Sequence, residues 1–124
     1  MQQRHLATRI LARERALRGT EEHCGCASAI RKLLDAMAAL VGWAACMALL
    51  RRTLHVTKAD HPQLATIVLD EPFDYARLDR HQSAEASVAL LANTLDLFSL
   101  FIGEALTLAR VEQAWPGVTR EAAE

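Results

Sequence analysis

With 124 residues and 13.7 kDa, the chain has the size of one domain. Fourteen Lys and Arg against fifteen Asp and Glu leave a net charge of -1, which excludes a global field drawing the molecule to nucleic acid or anionic lipid. Alanine (23) and leucine (19) outnumber valine and isoleucine (10 together). That balance favours helix over strand and places residues 1–124 in a single all-α domain. Glycine and proline total eight, too few for a collagen-like or low-complexity chain, and the apolar content of 52% suffices for a packed core.

Residues 3–18 read as a first helix ended by Gly19. Its apolar stripe, Leu6, Ile10 and Leu17, is narrow, and its arginines (Arg4, Arg9, Arg13, Arg15, Arg18) are split over two faces. Both features predict a peripheral, solvated helix. After a short loop, Ser28 is a candidate N-cap for a long second helix over 29–54. There Leu33, Leu40, Met47 and Leu54 recur every seven residues with Ala36, Trp43 and Leu50 between them, a heptad seam that predicts burial of Leu40 and Met47 alike. The flank bearing Ala38, Gly42, Ala45 and Cys46 is small enough for another backbone to approach closely. Asp60 and Pro62 suggest a short helix over 61–69, and Asp70-Glu71-Pro72 ends it.

Ser83 is the expected N-cap of a third long helix, with Glu85 in its first turn, running to about Gln113 and closed by Trp115-Pro116-Gly117. Leu90, Leu91, Leu95, Phe98, Phe101, Ile102 and Leu106 fill one arc of its wheel, opposite Asn93, Asp96, Ser99, Gly103, Glu104 and Thr107. Asn93, Asp96 and Glu104 therefore read as surface groups in a soluble bundle. The whole pattern predicts a helical bundle with coiled-coil-like packing, in which two long antiparallel helices form a hairpin with two shorter helices around it.

His23-Cys24-Gly25-Cys26 is the one cluster of soft-metal ligands. Its Cys-x-Cys spacing is wrong for the common zinc folds, so an ordinary loop is expected, with metal binding through His23, Cys24 and Cys26 as an alternative. The acidic stretch Asp70, Glu71, Asp74, Asp79 and His81 matches no calcium loop and reads as solvated. Neither a phosphate-binding glycine loop nor a nucleophile with an adjacent base occurs, which gives an enzyme no positive support and calls for no cofactor.

A helix that is apolar on all sides needs more cover than one hairpin partner supplies. The expected function is therefore a non-enzymatic interaction or regulatory module that forms a homodimer or binds a helical protein, with Leu40, Gly42, Trp43, Met47 and Leu50 at the interface and no nucleic-acid partner. The odd cysteine count and the charged N-terminus suggest the cytoplasm. The alternative is a two-span inner-membrane protein using residues 33–50 and 86–109. Against it stand an uninterrupted apolar run of only 15 residues (36–50) and the charges of Asp96 and Glu104.

Overall fold

The computed structural model describes residues 3–18, 25–69, 74–79 and 83–123. Six α-helices follow one another: α1 (Arg4–Arg18), α2 (Cys26–Val41), α3 (Trp43–Asp60), α4 (Ala84–Ile102), α5 (Glu104–Ala114) and α6 (Val118–Ala123). Short 3-10 turns at Pro62–Leu64 and Tyr75–Asp79 lie between α3 and α4, and no strand occurs among the described residues.

The two long helices expected from the heptad pattern are each broken at a glycine. Gly42 separates α2 from α3 at φ 86°, ψ 158°, and Gly103 separates α4 from α5 at φ 96°, ψ 150°. This region of backbone space is essentially closed to residues with a Cβ. Each break wastes little hydrogen bonding. Gly42 N–H still donates to Ala38 O (2.9 Å) and its carbonyl accepts from Cys46 N–H (3.2 Å), while Gly103 repeats the scheme with Ser99 (2.9 Å) and Thr107 (3.1 Å). Only the first N–H groups of α3 and α5 lose intrahelical partners, and residues 43, 44 and 104–106 are exposed to water that can satisfy them.

The breaks re-phase the helices, which is why the single seam does not form. Leu33, Met47, Leu50 and Leu54 are buried, whereas Leu40 and Trp43, which flank Gly42, are exposed. Likewise Leu90, Leu91, Leu95 and Phe98 are buried, but past Gly103 it is Thr107 and Val111 that turn inward and Leu106 that turns out. Nothing lies within 4 Å of a Cβ built on Gly42, so that residue serves a backbone conformation and not a close helix approach.

The first helix is integral, contrary to its narrow stripe. Gln3, Leu6, Ala7, Ile10, Leu11 and Glu14 are all buried, and α1 lies against α4, α6 and α2. Burial of Gln3 and Glu14 extends the apolar stripe by a turn at each end, while Leu17 is exposed. Glu14 is the focus of this contact. Its Oε2 accepts from Trp115 Nε1 (3.0 Å) and Lys32 Nζ (2.8 Å), joining α1, α2 and the end of α5. The α3 helix lies along α4 through buried hydroxyls. Thr53 Oγ1 is 3.0 Å from Thr94 Oγ1, and Asn93 Nδ2 donates to Thr57 Oγ1 (2.8 Å). Asn93 is thus part of an internal network and not a surface group.

Capping also differs from expectation at one helix and agrees at another. Ser28 sits inside the first turn of α2, and the cap comes from a distance: Asp79 Oδ1 accepts from Ala27 N–H (2.9 Å). Ser83 Oγ accepts from Ala86 N–H (3.1 Å) as the N-cap of α4. The 61–69 helix is reduced to the Pro62–Leu64 turn and an irregular segment that buries Leu64, Ile67 and Leu69. Beyond Trp115-Pro116-Gly117 the chain forms α6, whose start is held by Glu112, which accepts from Gly117 N–H and from Thr119 Oγ1 (2.6 Å).

Gly42→Ala and Gly103→Ala are each expected to cost about 1–3 kcal/mol in urea unfolding despite the open space around both positions. A stabilising effect at either would show that the break is not imposed by the folded core. For Glu14, burial pushes the carboxyl pKa up, but hydrogen bonds from Lys32, Trp115 and Ser28, with the Lys32 charge, outweigh it and leave the pKa below 4.5. Its ionised form therefore stabilises the fold above that value, and the contribution is lost as pH falls through the lowered folded pKa. Glu14→Ala should cost about 2–4 kcal/mol at pH 7, and the gap between wild type and Glu14→Gln should narrow below pH 4.5, measured by thermal melts across pH.

Candidate interaction surface

Of the five residues expected at an interface, Met47 and Leu50 lie in the protein's own core, at 4% and 0% exposure. Gly42, Leu40 (38%) and Trp43 (47%) are at the surface, around the first break. Trp43 is held there by a T-shaped contact with Tyr75, ring centroids 6.5 Å apart at 67°. Burial, with the Asp35 charge adding to it, pushes the Tyr75 phenol up to about 12, so this aromatic support stays neutral at physiological pH. A ring fixed in this way loses little side-chain entropy on contact with a partner.

The second break carries the more exposed group. Leu100 and Phe101 are 84% and 60% exposed, and Leu106 is exposed on the other side of Gly103. The wheel places Leu100 among Asn93 and Asp96, an isolated leucine on a polar face, which is the one sequence signal for this surface. Phe101 and Leu106 belong to the apolar arc and would have been buried by an unbroken helix. Their exposure follows from the backbone of Gly103 and from the positions of the neighbouring helices.

Beside Leu100 a concavity of about 280 Å³ is lined by Asp96, Ser99, Leu100 and Glu104. Asp96 Oδ1 and Ser99 Oγ are buried there without hydrogen-bond partners among the described residues. Burial pushes the Asp96 carboxyl up from its ordinary value. An acid raised in the folded state weakens the fold where it must ionise, so a donor brought to this concavity would relieve a cost that the isolated chain carries.

The metal-ligand cluster is placed only in part. His23 and Cys24 lie outside the described residues. Cys26 is a fully buried residue at the start of α2, turned into the core and away from any loop surface. Among the described residues no three His, Cys, Asp or Glu side chains come together to hold a metal. Cys46 is also buried; its Sγ donates to Leu34 O (3.7 Å), and burial raises its pKa, which keeps the thiol protonated and unreactive. Of the acidic stretch, Asp70, Glu71 and His81 lie outside the described residues. Asp74 closes its own turn by accepting from Ala76 N–H (3.0 Å), and Asp79 caps α2, so both described carboxylates have structural roles.

No protein family, curated protein or solved structure matches the chain.

Burial separates the seam residues energetically. Leu50→Asp should cost about 4 kcal/mol or more, enough to unfold the domain, whereas Leu40→Asp should fall within about 1 kcal/mol of wild type. Circular dichroism melts of the two variants test this, and equal loss at both would place Leu40 in the core.

Proposed function

We propose that the protein is a non-enzymatic interaction module of the cytoplasm that acts as a homodimer, its arms packed as antiparallel helical pairs and its contact surface formed by the residues around the two glycine breaks. The observation that carries this reading is the exposure of the adjacent Leu100 and Phe101 at the end of α4, the helix with the most buried residues. Leu40, Trp43 and Leu106 are exposed as well, and large apolar side chains of this kind form the centres of interfaces that bury roughly 800 Å² per partner. The supported Trp43 ring has the properties of an interface anchor, and Glu104 supplies a charged rim.

A second reading, the two-span membrane protein, has one observation in its favour. Among the described residues one helix, Ala84–Ile102, is long and apolar enough to cross a membrane by length and composition, although half of it is buried within the protein. The intended spans 33–50 and 86–109 are both interrupted, at Gly42 and Gly103.

Light scattering at several micromolar should report twice the chain mass for wild type, and Phe101→Lys with Leu100→Lys should give a folded monomer with an unchanged melting profile at low concentration. A wild-type monomer that binds no hydrophobic dye would overturn the dimer. Sedimentation with membranes in detergent-free fractionation would favour the second reading instead.

A further inference from the structure

The α3 helix carries a group of basic side chains that neither the core nor the apolar surface uses. Arg51, His55 and Lys58 follow at i, i+4 and i+7, a spacing that sets them on one helix face. All three line a single concavity of about 310 Å³, whose remaining walls are Leu54, Val68 and Leu69. Leu54 and Leu69 are buried and form an apolar floor, and Val68 is an exposed apolar edge. Among the described residues no carboxylate lines the concavity, and none of the three basic residues takes part in an ion pair.

The site is partly organised. Arg51 Nε donates to Leu69 O (3.4 Å), which steadies the guanidinium and leaves its two terminal nitrogens for another acceptor. Arg77 Nη1 donates to Val68 O (3.4 Å), bringing a further positive charge to the same edge. Both backbone carbonyls that would otherwise repel an anion here are thus covered by arginine. Two permanent charges, Arg51 and Lys58, with an imidazole between them supply several donors along one helix face. That arrangement suits a tetrahedral anion with several acceptor oxygens better than a two-oxygen carboxylate.

The geometry points to a binding site for a phosphate monoester group, with Arg51, His55 and Lys58 around the phosphoryl oxygens and Leu54 and Val68 against the apolar part of the ester. Two sources share this chemistry, a small soluble ester and the headgroup of phosphatidic acid. Phenyl phosphate, titrated by calorimetry at low salt, represents the first; flotation with vesicles of phosphatidylcholine containing phosphatidic acid represents the second. Saturable binding in either arm is expected, weakened at least tenfold by Arg51→Gln and by Lys58→Gln. Arg51→Lys should lie between, since it keeps the charge and loses the fork. Arg52→Gln removes an adjacent exposed charge absent from the lining and should have no effect. Melting profiles of the variants separate lost binding from lost folding, and the Lys58 variant leaves the Arg51 to Leu69 bond in place. Absence of saturable binding in both arms, or equal weakening by Arg52→Gln, would overturn the site.

Discussion

Two glycines in a backbone conformation closed to other residues govern this molecule. Gly42 and Gly103 interrupt helices that would otherwise run unbroken, and each does so while retaining the hydrogen bonds on both sides. They stand at corresponding points of the fold. The α3 helix lies along α4, with Thr53 against Thr94, and α2 lies along α5, with Lys32 and Trp115 sharing Glu14. The helices on the two sides of each break thus have different main partners. The α1 helix and the irregular segment to Leu69 complete the enclosure of the core.

Two of the contacts between helices are held by different chemistry. At one, a single carboxylate, Glu14, accepts from a buried indole and a half-exposed ammonium, and its ionisation depends on those donors exceeding the cost of burial. At the other, neutral hydroxyls and an amide, Thr53, Thr57, Thr94 and Asn93, satisfy one another and their own helix carbonyls. A neutral network holds its hydrogen bonds across the pH range, whereas the carboxylate contact loses its charge in acid. Loosening in acid should therefore begin where α1, α2 and α5 meet.

The surface features divide in the same way. Around the breaks, apolar side chains stand out because helix re-phasing moved them off the core, and near them Asp96 and Ser99 hold buried polar atoms without partners among the described residues. Along α3, three basic side chains share one concavity with no acid in its lining among the described residues. The first region is suited to a protein surface that supplies apolar cover and donors. The second is suited to a compact anion. They use different residues and different physical forces, so one can operate without the other.

Residue choice alone determined the helical class, the cap at Ser83 and the inward faces of Leu33, Leu50, Leu90, Leu95 and Phe98, because helix propensity and 3.6-residue periodicity act over a few turns. The i, i+4, i+7 spacing of Arg51, His55 and Lys58 was also visible in the chain, although nothing there indicated that Val68 and Leu69 would close a concavity over them. Tertiary structure decided the rest. A glycine inside a helical pattern costs about 1 kcal/mol whether or not it breaks the helix, so periodicity carries no sign of which outcome follows. Only packing of α2 against α5 and of α3 against α4 selects the break, and with it the burial of Thr107, the exposure of Leu40, Trp43, Phe101 and Leu106, and the place of Glu14 inside the fold. Asp79 caps α2 from 52 residues away, and such a contact leaves no local pattern, since it depends on where two distant segments come to rest.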